Sequence, residues 1–325
     1  MKILPLVLKS ICFKELNYYD FCMKPSTKIV ISASRRTDIP AFYMDWFINQ
    51  LRKGFFEVIN PYNRQKSRIT ATPDKVHTIV FWSKNFGPFI KGGFGQKLLE
   101  MGYNLFFNFT INSNSSLLEP RVPSLNRRLD QLEELCLDFD VSAVNWRFDP
   151  VCFFKFHGKE VQDNLNDFSR VAARACRCGV TRCITSFMDH YPKIQKRTAC
   201  LPGFSFVDPP LETKKTILMK MEKELSEKNI DLYTCCEKDV HKVLPSDSNI
   251  KKSSCIPNDF LVKIFGGNLS FKKDTGQRIK DGCGCMASVD IGSYHLHPCY
   301  HNCLFCYANP TSGKSAIQFR NTLAF

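Results

Sequence analysis

The sequence predicts an α/β fold: a parallel (β/α) barrel, complete or partial, of the TIM type. Three observations carry this expectation. Short runs rich in β-branched and aromatic residues alternate with helical patterns through most of the chain, the mark of a parallel sheet with helical crossovers. Nearly every strand run ends in polar residues, and in a barrel these ends meet at one face, where such folds build their sites. The 325 residues are 44% hydrophobic and 13% aromatic, enough apolar material for one large core.

The strand runs lie at 28–34, 77–82, 104–111, 142–148, 181–187, 230–235 and 287–292. Residues 55–59 add an eighth strand or, with 68–71, a hairpin around Asn60-Pro61. Pro40 opens a helix that runs over 41–53 and that Gly54 closes. Leu125, Leu129, Leu132 and Leu135 mark one face of a second helix, and Leu165, Phe168, Ala172 and Ala175 mark a third, ending before Gly179. Leu218, Met221 and Leu225 mark a fourth; Phe260, Leu261, Ile264 and Phe265 mark a short fifth, stopped by Gly266-Gly267. Residues 27–310 read as this single barrel domain with a cysteine-rich loop at its end. Residues 1–26 read as a disordered or spurious leader with Met23 available as a start, and 311–325 as a tail.

Two polar clusters stand at strand ends. Arg35-Arg36-Thr37-Asp38 sets two guanidiniums beside a carboxylate at a strand-to-helix turn. Arginine forks suit a carboxylate or phosphate, and an Arg–Asp pair holding the loop explains the same residues; Asp38 also fits a helix cap before Pro40. In the run from Asn145 to Pro150, alternation puts Asn145, Arg147 and Asp149 on one strand face and Trp146 and Phe148 on the other. Charge facing a barrel interior must be paired, within the protein or with a ligand. These six residues, Arg35, Arg36, Asp38, Asn145, Arg147 and Asp149, are the catalytic candidates.

Sixteen cysteines are many for a chain of this size. Cys299, Cys303 and Cys306 stand in a C-x3-C-x2-C spacing, which wraps one face of a cubane iron–sulfur cluster and leaves one iron open. With His295, His297 or His301 they also suit a closed Cys3His zinc site. Cys236, Cys255, Cys283 and Cys285 supply four thiols for a second site, zinc or an auxiliary iron–sulfur cluster, with buried free thiols as the plain alternative. Disulfides are disfavoured, because residues 3–13, the one targeting candidate, have no small-residue cleavage site. No apolar run approaches the roughly 18 residues of a membrane span, so the expected location is cytoplasmic. A formal charge of +14 suits an anionic partner, such as a nucleotide or nucleic acid.

The cysteine loop, with Phe305 before its last thiol, resembles the signature of radical S-adenosylmethionine (SAM) enzymes. More of the chain resembles a bacterial domain-of-unknown-function family with a C-terminal cysteine cluster of that kind. The matching stretches are Ile31-Ser-Ala-Ser-Arg-Arg-Thr-Asp-Ile-Pro-Ala-Phe-Tyr43, Phe81-Trp-Ser-Lys-Asn85, Asn145-Trp-Arg-Phe-Asp-Pro150, Lys273-Asp-Thr-Gly-Gln-Arg278, Cys283-Gly-Cys285 and Ser288-Val-Asp-Ile-Gly292 on to Cys306-Tyr-Ala-Asn309. The Cys-Tyr-Ala ending is also similar to the loop of spore photoproduct lyases. The resemblance implies a [4Fe-4S] cluster on Cys299, Cys303 and Cys306, SAM beside it near Tyr307 and Asn309, and a 5′-deoxyadenosyl radical that abstracts hydrogen from an unknown substrate. It also implies an electron donor such as ferredoxin or flavodoxin. The other class of reading is a non-catalytic zinc or iron–sulfur protein associated with nucleic acid. In radical SAM enzymes the cysteine loop follows the first strand; here it follows the last. The chain is therefore expected to be a circularly permuted radical SAM barrel, with strand 287–292 beside strand 28–34. No convincing Gly-Gly-Glu follows strand 28–34, so this resemblance does not say which residues hold SAM.

Overall fold

The computed structural model describes residues 27–60 and 63–309. The expected leader and tail lie outside the described residues.

The chain opens with β1 (Ile29–Ala33), α1 (Ile39–Phe42) and α2 (Met44–Lys53). Gly54, left-handed at φ 79°, ends α2 and turns the chain into the hairpin β2 (Phe55–Ile59) and β3 (Lys66–Thr70). Of the two readings of 55–71, the hairpin holds. Then come β4 (Val76–Ser83), α3 (Gly87–Lys91), α4 (Phe94–Glu100), β5 (Asn104–Thr110), α5 (Leu125–Asp138), β6 (Val144–Val151), β7 (Phe153–Phe156), β8 (Gln162–Asp163) and α6 (Phe168–Arg177). The last third holds β9 (Arg182–Phe187), α7 (Pro192–Thr198), β10 (Phe204–Val207), α8 (Leu211–Ser226), β11 (Asp231–Thr234), α9 (Val240–Val243), β12 (Lys251–Lys252), α10 (Asn258–Phe265) and β13 (Val289–Asp290).

Eight strands form one sheet in the order β13-β1-β4-β5-β6-β9-β11-β12, and every neighbouring pair is parallel. This is chain order, except that the last strand stands before the first; Ile31 pairs with Val289 and Ser32 with Asp290. All seven predicted strands are in this sheet. The barrel was expected complete or partial, and a closed one is not shown: β12 and β13 are the two edges of the sheet. Both edge strands are two residues long, too short for a seam ladder. The chain between them spans the gap instead, through Met286 N–H to the Ile256 carbonyl and Asp274 N–H to the Cys285 carbonyl.

Alternation along each strand sorts its side chains between two faces. One face packs Ile31, Phe81, Phe107, Trp146 and Leu232 against Phe47, Leu129, Leu132, Val171 and Leu218 of the surrounding helices. Burying so many large apolar side chains, each contributing on the order of 1.5–3 kcal/mol, is the main support of the fold. The other face changes character along the strands. Near their N-terminal ends Val30, Val80 and Phe106 meet Leu261 of α10, which plugs that side. Near their C-terminal ends the same face carries Ser32, Trp82, Asn108, Arg147 and Cys235.

A small antiparallel sheet, β10-β7-β8, grows from the C-terminal ends of the main strands. With α7 and Leu118 it forms a second apolar cluster that takes in Cys303, Leu304 and Phe305. The cysteine loop therefore rests on its own bed. No helix of the described residues is long and apolar enough to cross a membrane.

Candidate metal centre

The C-terminal strand ends surround a cavity of about 800 Å³, within the range of small-molecule sites. Both cysteine groups line it: Cys299, Cys303 and Cys306 of the loop, and Cys235, Cys236, Cys255, Cys283 and Cys285. Cations line it too, among them Arg35, Arg36, Lys84, Arg147, Lys193 and Arg278.

The loop is held mostly through its backbone. Arg197, its guanidinium buried, donates to the carbonyls of Leu304 (2.8 Å), Cys306 (3.0 Å) and Asn309 (3.1 Å). Asn309 Nδ2 reaches the Cys303 carbonyl (3.0 Å) and Asn302 Oδ1 (2.9 Å). Asn302, at φ 59°, makes the left-handed bend that Asn tolerates better than most residues. Tyr43 OH donates to the Pro298 carbonyl at 2.6 Å. Burial pushes the Cys299, Cys303 and Cys306 thiols above their ordinary pKa, though Lys84 partly offsets this for Cys303 and Cys306. Lys84 pairs with Glu119 and sits 5.2 Å over the Phe305 ring.

The three histidines near the loop differ in their surroundings. His301 is buried with Nε2 on Asp38 (2.7 Å) and Nδ1 against the Arg121 carbonyl (3.5 Å). His297 packs its ring on Trp46 and Tyr43, and His295 is exposed.

The turn after β1 does lie beside this loop despite the sequence between them. Tyr307 OH donates to the Arg35 carbonyl at 2.9 Å. Arg35 binds Asp290 at 2.8 Å and lies 3.5 Å from Asp274, tying β1 to β13. Burial works against its charge, but Asp290, Cys285 and Asp274 outweigh it and raise its pKa. Among the described residues Arg36 meets no carboxylate; its Nη1 donates to the carbonyls of Ile59 (3.3 Å) and Gly292 (3.2 Å). Asp38 caps α1 through Ala41 N–H and accepts from Ser83 Oγ, Lys84 N–H and His301. Three of these bonds fall on Oδ2 and one on Oδ1, so Asp38 ties the turn after β1 to β4 and to the cysteine loop.

On β6 the predicted alternation holds. Arg147 pairs with Asp149, donates to Cys255 Sγ at 2.7 Å, and lies 5.1 Å over the Trp82 ring. Burial opposes ionisation of Asp149, yet Arg147 and Ser186 hold its carboxyl below the usual range. Arg147 and Asp149 line the cavity; Asn145 lies beneath it, donating to Asn108 Oδ1 at 3.1 Å. Asn145 and Asn309 are thus brought near the site as supports, outside the cavity lining.

The structure brings Cys236, Cys255, Cys283 and Cys285 to one side of the cavity, with Cys235 beside them. Cys235 Sγ lies 3.7 Å from both Cys236 Sγ and Cys255 Sγ. Cys255, Cys283 and Cys285 are buried in one cluster, against which Cys235 and Cys236 pack. The signal for Cys235 was present: Tyr233 and Cys235 share the inward face of β11 by alternation. Among the described residues, no three or more His, Cys, Asp or Glu side chains already stand as a metal-holding group. None of these cysteines is in a disulfide, and loading either group requires thiol protons to leave.

Compared with curated proteins, the chain matches none. A family model matches residues 30–308, nearly the whole described chain, and the chain belongs to that family, the domain of unknown function DUF1848.

Proposed function

We propose that the chain is an iron–sulfur enzyme of the radical SAM type. Cys299, Cys303 and Cys306 would hold a [4Fe-4S] cluster, and the cavity would hold SAM and an anionic substrate. The observation that carries this reading is the loop: three thiols within eight residues line one cavity, while the neighbouring His301 is committed to Asp38 and Arg121. Three thiolates suit a cubane with one open iron better than a closed four-ligand zinc site. Bound and reduced, such a cluster supplies the electron that cleaves SAM.

The strand order supports a circular permutation, since the loop follows β13, which stands first in the sheet. Of the two arginines after β1, Arg36 has fork nitrogens to offer a carboxylate or phosphate, whereas Arg35 is taken by Asp290. Lys84, paired with Glu119 beneath Cys303, sets a buried cation beside the cluster position. The formal charge of +14 suits a small acidic electron donor such as ferredoxin or flavodoxin, and an anionic substrate.

Protein purified and reconstituted without oxygen is expected to carry about four irons and four sulfides at this loop. A Cys299/Cys303/Cys306 triple alanine variant is expected to lose that share. Stoichiometric zinc without iron, in protein never exposed to air, would overturn the reading in favour of a non-catalytic zinc protein.

A further inference from the structure

We infer that the second cysteine group is the site of one tetrahedral metal ion of the zinc type, and that its four ligands are Cys235, Cys255, Cys283 and Cys285. This stands independently of the loop site. Three observations bear on it.

The first is spacing. Zn–S bonds of about 2.3 Å in a tetrahedron set neighbouring sulfurs about 3.8 Å apart. The Cys235–Cys255 separation is 3.7 Å, an edge of that length. Cys255, Cys283 and Cys285 are buried in one cluster, with Cys235 packed against it. Cys236 Sγ also lies 3.7 Å from Cys235 Sγ, so Cys235 stands between Cys236 and Cys255.

The second is the backbone built to bring these thiols together. Gly284 has no room for a side chain: a Cβ would lie 2.4 Å from the Ser253 carbonyl oxygen. That close approach lays the Cys283–Cys285 turn against the segment leading to Cys255. Gly282, at φ 94°, makes the left-handed step just before it.

The third is charge. Four thiolates on a divalent ion leave two negative charges, which need nearby cations when buried. Arg147 donates to Cys255 Sγ at 2.7 Å, and Arg35 and Arg278 line the same cavity as the thiols.

The site occupies a telling place. Cys255 follows β12, and Cys283 and Cys285 precede β13, so the ion would clip the two edges that the sheet leaves unpaired. Its role is structural, and the clip keeps the loop site and the turn after β1 on one rigid frame.

The test uses the full chain carrying the Cys299/Cys303/Cys306 triple alanine change, so that failure at the loop cannot be mistaken for failure here. One zinc per chain is expected, and cobalt loaded in its place should show the strong visible bands of a tetrahedral four-thiolate site. In that background Cys235→Ser should cut bound metal to less than about a tenth, while Cys236→Ser should keep it. If Cys235→Ser does not fold, the parent triple variant decides, since a chelator should lower its melting temperature. Overturning results are metal-free protein whose melting ignores the chelator, iron and sulfide retained in the triple variant, or metal lost with Cys236→Ser and kept with Cys235→Ser.

Discussion

At the turn after β1, two adjacent guanidiniums meet different surroundings. Arg35 faces Asp290 and Asp274 with little exposure, and Arg36 faces two backbone carbonyls at the cavity. Their substitutions should separate accordingly. Arg36→Ala should weaken binding of SAM or the anionic substrate by about 1.5–3 kcal/mol, the worth of one charge-assisted hydrogen bond, or roughly ten- to a hundredfold in Kd. Arg36→Lys should recover part of it, keeping the charge and losing the fork. Arg35→Ala should instead cost about 3 kcal/mol of stability in urea unfolding, because two carboxylates are left facing each other. A stable Arg35→Ala protein that fails to bind would reverse the two roles. The sequence names this pair but does not apportion it, since the deciding partner, Asp290, stands 255 residues away.

At the scale of elements, the long periodic segments were legible and the short ones were not. Seven strands of the main sheet and the helices with apolar stripes follow from alternation and from stops such as Gly54 and Gly266. β12 has two residues, too few to carry a period, so this eighth strand was hidden, and with it the open seam between β12 and the two-residue β13. The bed under the cysteine loop was hidden for another reason. β7 follows β6 after Cys152 alone, so Phe153–Phe156 reads as more of the same strand. The second cysteine group shows the same limit: its composition was readable, but not that Cys235 would stand between Cys236 and Cys255, which only the fold decides. The Gly284 turn offers a check at this scale. Gly284→Ala forces a Cβ to 2.4 Å from the Ser253 carbonyl, a clash with backbone rather than with a yielding side chain. It should lower stability by about 1–3 kcal/mol and reduce metal at the second site, read by thermal unfolding with and without zinc. Wild-type melting and metal content would mean that this turn is not fixed as described.

At the scale of the whole molecule, the sheet sorts its two faces and the two ends of its inner face. Helices cover one face, α10 plugs one end of the other, and the polar residues and thiols collect at the C-terminal end. The strand order brings the last strand beside the first, and with it the loop of Cys299, Cys303 and Cys306 beside Arg35 and Arg36. That juxtaposition is what makes one cavity out of residues from both ends of the described chain. The central claim is that this cavity activates SAM at a cluster on the loop. Its most direct test is release of 5′-deoxyadenosine from SAM by the anaerobically reconstituted, chemically reduced protein. The account predicts release above the reductant-only background, absent from the Cys299/Cys303/Cys306 triple alanine variant. Cluster-loaded protein that binds SAM and releases none, or release unchanged in the triple variant, would contradict it.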